Sequence, residues 1–325
     1  MERALLAIGV VMAASLAAAA YAIAAERLVG LFPNRHQPVV RPWLWLAPTL
    51  ALLLAFLVYP AIQTLYLSFQ NANSTRPVGL ANYQFVLTDQ TMLVAVRNNL
   101  IWVVVFTTLT VGTGLIVAAL ADRVRYESVI KAVIFLPMAI SFVAAGVIWK
   151  FIYDFRPPVL PQTGTLNAAL MALIPGFEPQ AWLVNNPPFN NLALIAAAAW
   201  TWTGFCMVVL SAAIKGVPAE LLDAARVDGA SEFQVFRHVT LPTIAPTLGV
   251  VSTTMVIFAL KAFDIVYVMT NGNFETEVIA NRMYKEMFNV RDFGRAAALA
   301  VVLLVAVVPI MLINIRRFRQ QEEGR

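Results

Sequence analysis

The chain has 325 residues, of which 60% are hydrophobic and only 13% charged, and its formal net charge is +5. This composition excludes a soluble globular domain and indicates an integral membrane protein. The basic pI near 9.5 does not imply nucleic-acid binding, because the basic residues gather in short segments between apolar runs, where they can face anionic lipid.

Apolar runs of about twenty residues recur along the chain, and each is long enough to cross about 30 Å of hydrocarbon as a helix. We therefore predict an all-α, polytopic membrane protein with about seven transmembrane helices. The runs cover residues 4–25, 44–68, 99–121, 130–153, 191–214, 244–269 and 296–315.

Basic residues orient these spans, because Lys and Arg are enriched in cytoplasmic segments. Four segments on one side of the predicted membrane carry most of them, which places the N-terminus outside and the C-terminus in the cytoplasm. The residues used for this orientation are Arg27, Arg35, Arg41, Arg123, Arg125, Lys131, Lys215, Arg226, Arg237, Arg316, Arg317, Arg319 and Arg325.

The first apolar run has two interpretations. A charged start at Met1–Arg3, an apolar stretch and small residues ending at Ala25 are also typical of a cleavable signal peptide. Cleavage would translocate the basic segment 27–41, so we favour a retained helix. The predicted domains are an extra N-terminal helix with a cytoplasmic linker at 1–42 and a main membrane domain at 43–325.

The outer segment 154–190 is rich in proline and other turn-forming residues. Leu170, Met171, Leu173 and Ile174 give it a short apolar helix face, which favours an ordered cap over a simple connector.

Two groups of residues inside the spans are candidates for a polar path. Trp200, Trp202 and Phe205 in the fifth span can stack on sugar rings, although an interfacial aromatic belt explains the tryptophans as well. Lys261 and Asp264 are three residues apart, on one predicted face of the sixth span. Ionisable groups at membrane depth are costly, so this pair either lines a wet cavity or forms a structural ion pair.

A polar segment at 217–242 interrupts the apolar runs. Pro218 suits a first helical turn, Glu220 and Asp223 suit a helix N-terminus, and Gly229 suits a left-handed helix stop. Ser231 and Gln234 predict a capping box for a second short helix, 232–239, which carries Phe233. We interpret the two helices as a docking surface for another protein.

The same segment resembles the E-A-A loop of binding-protein-dependent ABC importer permeases. The family pattern runs roughly E-A-A-x-x-D-G-A, then an aromatic-rich stretch and I-T-L-P; here Asp223 stands in place of the usual Glu. The matching residues are Asp223, Ala224, Ala225, Asp228, Gly229, Ala230, Leu241 and Pro242, with Glu220, Arg226 and Phe233 in the same loop at 215–243.

Further stretches resemble the sugar-importer branch of that family. They are Val78–Tyr83, Asn99-Leu100 and an F-D-x-x-Y…T-x-G run, which contributes Phe263, Asp264 and Tyr267 as path candidates. Asn273-Phe274 replaces the usual Gly-Pro and is similar to the α-glucoside group. The resemblance covers about residues 44–316 and implies a six-helix type I permease core in a bacterial cytoplasmic membrane.

The resemblance implies that the chain forms half of a path for a carbohydrate, an oligosaccharide or α-glucoside. Its implied partners are an ABC ATPase dimer, a second permease subunit in a heterodimer, an extracytoplasmic solute-binding protein and membrane lipids. The sequence lacks a G-x-x-x-x-G-K-[ST] motif. We therefore expect ATP and Mg²⁺ on the partner ATPase and no cofactor on this chain.

Other functions have weaker support in the sequence. A secondary transporter should show paired repeats, which are not evident. A membrane enzyme needs a convergent catalytic set, and a metal site needs clustered ligands, whereas His36 and His238 are isolated and Cys206 lies in a span. Within the permease fold, glycerol-phosphate or polyamine import remains the alternative.

Overall fold

The computed structural model describes residues 2–122, 124–185 and 187–323; inside the helices, the side chains of 2–8, 10, 11, 14, 313 and 315–323 fall outside this description. The chain divides into two compact units, Met1–Tyr66 and Leu67–Arg325. The predicted domain boundary at residue 42 stays a prediction. Of the orienting residues, Arg123 and Arg325 lie outside the described residues.

The described residues form helices and turns without a β-strand, which confirms the predicted fold class. In the first unit, α1 (Glu2–Gly30) is followed by α2 (Gln37–Leu67). Glu26 binds two residues of α2, accepting hydrogen bonds from Arg41 at 3.1 Å and from the Trp45 indole at 2.9 Å.

The second unit contains eleven helices in its described residues. They are α3 (Ala81–Thr88), α4 (Gln90–Ala121), α5 (Glu127–Ala139), α6 (Phe142–Ile152), α7 (Thr165–Leu173), α8 (Asn190–Lys215), α9 (Ala219–Val227), α10 (Glu232–Leu260), α11 (Asp264–Met269), α12 (Ile279–Lys285, continuing as a π-helix over Glu286–Val290) and α13 (Phe293–Glu323). The predicted cap helix coincides with α7.

Five described helices are long and apolar enough to cross a membrane: α2, α4, α8, α10 and the part of α13 from Phe293 to Leu312. The pair α5 and α6 gives a sixth candidate if it forms one bent span. The predicted count of seven is not confirmed. Helix α1 covers the predicted first span, but many of its side chains lie outside the described set.

The predicted span at 130–153 is not one unbroken helix, because α5 and α6 meet at an angle of 103°. The bend follows Pro137 in a 3₁₀ turn, and a proline there removes a backbone donor. Ile140 is extended, and Ser141 caps α6 by accepting a hydrogen bond from the Ala144 amide at 3.2 Å.

The core lies where α4 and α8 pack together. Gly114 of α4 allows this approach, since a Cβ atom there would lie 2.6 Å from the Cβ of Cys206. Met207 and Leu210 of α8 and Met255 of α10 are fully buried around this contact. The packing fixes the two regions that carry the candidate functional residues.

Candidate functional site

The first region is the segment at 215–243, which folds around a Schellman motif. The Ala230 amide donates to the Ala225 carbonyl, the Gly229 amide donates to the Arg226 carbonyl, both at 3.0 Å, and Gly229 has φ +83°. The predicted left-handed stop at Gly229 is therefore confirmed.

The capping box after this turn is also confirmed. The Gln234 amide donates to Ser231 Oγ at 3.4 Å, and the Ser231 amide donates to Gln234 Oε1 at 2.7 Å. Two details differ from the prediction. Pro218 is the N-cap of α9 and not its first residue. The predicted separate helix at 232–239 is the first part of α10, which continues through a π-helical turn at Phe236–Thr240 and past Pro242 and Pro246 to Leu260.

The turn between α9 and α10 presents an exposed surface. Val227 is 87% and Phe233 69% exposed. None of the predicted docking residues is buried: Glu220, Asp223, Ala224, Ala225, Arg226, Asp228, Gly229, Ala230, Phe233, Leu241 and Pro242. A Cβ atom at Gly229 would have no neighbour within 4 Å, so the backbone here is open to a partner.

Arg226 ties the two helices together across the turn. Its guanidinium lies 2.9 Å from both Asp223 Oδ1 and Glu232 Oε1. The hydrogen bonds to Glu232 and then Asp223 raise the pKa of Arg226 above its ordinary value. The acid at position 223 thus has a structural partner within the docking surface.

An ion cluster joins three helices near the base of this docking surface. Lys131 of α5 lies 2.6 Å from Asp122 Oδ1 and 2.5 Å from Glu127 Oε1, and it also donates to Ser211 of α8. Lys215, in the last turn of α8, pairs with Glu127. The side chains of Lys131 and Asp122 are 18% and 12% exposed, so this cluster is mostly shielded from solvent.

The second region is a cavity of about 60 Å³ at the end of α10. Four predicted path residues line it: Trp202, Lys261, Phe263 and Asp264. The other lining residues are Trp102, Phe106, Phe142, Ala198, Phe258, Ala262 and Ile265. The aromatic residues among these seven were not predicted: Trp102 and Phe106 come from α4, Phe142 comes from α6, and Phe258 comes from the end of α10.

Three other predicted path residues lie outside the cavity lining. Trp200 packs edge-on against Trp149 with ring centroids 5.9 Å apart. Phe205 packs edge-on against Trp202 at 5.7 Å, and Tyr267 stacks on Phe263 at 5.2 Å. Phe205 and Tyr267 thus support rings that line the cavity, whereas Trp200 belongs to a neighbouring aromatic cluster.

Lys261 and Asp264 do not share a helix face, contrary to the prediction. Helix α10 ends at Leu260, and Asp264 begins α11 after a break at residues 261–263. The break has a long-range cause, because the Asn99 side chain donates to the Leu260 carbonyl at 3.2 Å. Among the described residues, neither Lys261 nor Asp264 has an ion-pair partner within 4.0 Å, and both are exposed at the cavity.

A buried asparagine network holds the segment that follows, residues 270–278. Asn98 donates to the carbonyls of Glu275 and Glu277 at 2.7 and 2.8 Å, and Asn190 donates to the Phe274 carbonyl at 2.7 Å. Asn191 donates to Asn98 at 3.3 Å. These contacts join α4 and α8 to one loop.

That loop has an unusual backbone. Asn271, Gly272, Phe274 and Glu275 all have φ between +51° and +71°. Such angles are rare for residues other than glycine and need support from surrounding contacts. The asparagine pairs at 98–99 and 190–191 were visible in the sequence, but nothing local connected them to this loop.

The chain matches the family model described as "Binding-protein-dependent transport system inner membrane component" over residues 110–318. It is 56% identical over 282 residues to the osmoprotective compounds uptake permease protein GgtC of Synechocystis, covering 87% of this chain and 100% of that one. It is 47% identical to the alpha-glucoside transport system permease protein AglF of Rhizobium meliloti, covering 88% of this chain and 84% of that one.

A solved structure of a bacterial ABC transporter for the acidic polysaccharide alginate has the same fold, with a TM-score of 0.73 at 24% identity over 87% of this chain and 99% of that one. The fold and the exposed turn define a multi-pass permease of the type I importer class. The chain belongs to the family of binding-protein-dependent transport system inner membrane components, which confirms the resemblance.

Proposed function

We propose that this chain is one of two permease subunits of an ATP-driven importer in a bacterial inner membrane, and that its solute is a neutral carbohydrate, in the first place an α-glucoside. The observation that carries the proposal is the joint presence, in one family member, of the exposed, capped turn at 219–234 and the aromatic cavity that Lys261 and Asp264 line.

The turn is the surface on which the partner ATPase docks. Its Schellman motif and capping box fix the angle between α9 and α10 without help from the rest of the chain. Because α10 continues to Leu260 at the cavity, a force applied at Phe233 reaches the solute path through one helix. ATP and Mg²⁺ are held by the ATPase dimer, and this chain binds no cofactor.

The residues that line the cavity supply the groups that contact the solute. Trp202, Phe258 and Phe263 offer apolar ring faces, which suit the C–H faces of sugar rings. Lys261 and Asp264 offer a donor and an acceptor to sugar hydroxyls. The charges of Lys261 and Asp264 offset one another, so the described cavity lining has no net charge to favour an anionic solute.

Two relatives support this solute class, and a third supports the alternative, import of a glycerol phosphate. AglF is named for alpha-glucosides and GgtC for osmoprotective compounds. Sucrose and trehalose satisfy both names, since they are α-glucosides that act as osmolytes. The permease protein UgpA of Agrobacterium fabrum, named for sn-glycerol-3-phosphate, is 30% identical over 88% of this chain and 96% of that one.

Two further partners complete the proposed importer. A second permease subunit, different from this chain, completes the path, and an extracytoplasmic solute-binding protein delivers the solute to the side that carries 154–190 and 270–295. The N-terminus lies outside and the C-terminus in the cytoplasm, with the N-terminal helix retained.

Uptake by the complete complex in proteoliposomes tests the function. We expect ATP-dependent uptake of labelled sucrose, trehalose or maltose and none of sn-glycerol 3-phosphate. Lys261→Met should lower sugar uptake, with Lys150→Met, which replaces a lysine at the end of α6, as the control. Uptake of glycerol phosphate alone would reject the carbohydrate class, and ATP-independent uptake would reject the importer.

A further inference from the structure

Four aromatic side chains form a continuous row in the outer part of the second unit. Phe288 packs on Tyr284 with ring centroids 4.8 Å apart, and Tyr284 packs on Tyr267 at 5.1 Å and on Phe263 at 5.4 Å. Phe263 and Tyr267 stack on one another at 5.2 Å. All these distances lie in the range of direct aromatic contact.

The row connects the molecular surface with the cavity. Phe288 is 60% exposed at one end, Tyr267 is 39% exposed in the middle, and Phe263 lines the cavity at the other end. Beyond Phe263, the cavity wall continues the aromatic surface through Phe258 and Trp202, whose ring centroids are 3.9 Å apart.

Packing of the core does not account for the exposed end of this row. Phe288 belongs to the π-helix Glu286–Val290, outside every candidate membrane span of the described residues. A half-exposed row of large rings on such a segment is typical of a binding surface. Phe263, Tyr267 and Tyr284 all contact one another, so the row widens from the single ring of Phe288 at the surface to three rings beside the cavity.

We propose that Phe288, Tyr284, Tyr267 and Phe263 form a stacking row that receives the pyranose rings of the carbohydrate at the outer surface and passes them to the cavity. The proposal rests on the proposed function. It assigns Tyr284 and Phe288 a role in solute selection, through the ring faces of both residues, which bind C–H groups, and the phenol group of Tyr284, which binds a hydroxyl.

The first test separates a ring platform from simple apolar packing. Phe288→Tyr keeps the ring, Phe288→Leu removes it, and Met287→Leu is the matched control, since Met287 is adjacent and 40% exposed. In proteoliposomes with the complete complex, Phe288→Leu should lower sucrose or maltose uptake roughly three- to tenfold, the scale of one aromatic contact. Phe288→Tyr and Met287→Leu should retain uptake.

Three results would overturn the row: normal uptake by Phe288→Leu, an equal loss in Phe288→Tyr, or an equal loss in Met287→Leu. The last two indicate a packing role or a general effect on the segment. If the unaltered complex takes up no carbohydrate at all, the proposed function itself fails, and that outcome is distinct from a defect confined to Phe288→Leu.

The second test locates the solute without measuring transport. A water-soluble maleimide is applied to complexes carrying Phe288→Cys or Met287→Cys, in which the native Cys206 is buried. Sucrose-loaded or maltose-loaded binding protein should slow labelling at position 288 more than empty binding protein does, and should leave position 287 unchanged. Equal protection at both positions, or none at 288, would contradict the row.

Discussion

The turn at 219–234 and the loop at 270–278 are both irregular, yet they are built in opposite ways. The turn is set by neighbours in sequence, through Gly229, Ser231 and Gln234. The loop is set by Asn98 and Asn190, which come from other helices. A locally determined element keeps its shape when its surroundings move, whereas the loop follows the helices that hold it.

The largest effect is expected from a substitution that disrupts the turn. Gly229→Trp forces a bulky side chain into φ +83° and obstructs the open backbone, so uptake by the complex should fall to background while the protein still inserts. Uptake and ATPase stimulation are the measurements. Gly229→Asn is the control, because asparagine tolerates the left-handed region; normal coupling in Gly229→Trp would disprove docking at this turn.

The next largest effect is expected at the loop, from a substitution in the helix that holds it. Asn98→Ala leaves the carbonyls of Glu275 and Glu277 without their donor, at roughly 1–3 kcal/mol for each buried group left unsatisfied. Hydrogen exchange should rise in 270–278 and stay unchanged in 219–234. Asn273→Ala, at an exposed position in the same loop, should leave exchange as it is. A rise of hydrogen exchange in both regions would mean that the turn, like the loop, depends on contacts from other helices.

A smaller effect is expected at the ion cluster. Lys131→Met leaves Asp122 without its cation, while Glu127 keeps its ion pair with Lys215, and the loss should cost roughly 1–3 kcal/mol of stability at this mostly shielded site. Thermal unfolding in detergent measures the loss. Adding Asp122→Asn should restore part of it by removing one uncompensated charge, and a further decrease in the double variant would exclude this explanation.

The smallest effect is expected at the capping box of the locally determined turn. Ser231→Ala removes one capping interaction and should destabilise the start of α10 by about 1 kcal/mol, with a modest decrease in uptake. Hydrogen exchange at 231–236 is the measurement, and Ser231→Thr should behave like the native chain. An effect as large as that of Gly229→Trp would mean that Ser231 itself contacts the partner.

The same contrast explains which features the sequence predicts. Gly229 and the Ser231–Gln234 pair carry their signals within a few residues, and the structure confirms them. The break after Leu260 carries no glycine or proline; Asn99 imposes it from 161 residues away. A pattern read along the chain therefore extends α10 into the next helix and places Lys261 and Asp264 on one face.

The bend between α5 and α6 is an intermediate case. Pro137 and Ser141 are local signals for a helix end and a helix start, and a hydropathy average over twenty residues hides them.

The sequence predicted only part of the cavity lining. Trp202, Phe263, Lys261 and Asp264 were identifiable by type, while Trp102 and Phe142 join them solely through tertiary packing.

Helix α8 links the two ends of the second unit. Asn190 and Asn191 in its first turn hold the loop at 270–278, and Ser211 and Lys215 in its last turns join the ion cluster beside the docking surface. Its 26 residues make a rod about 39 Å long. Because an α-helix is stiff along its axis, we expect any tilt of α8 to displace the loop and the ion cluster together, in opposite directions.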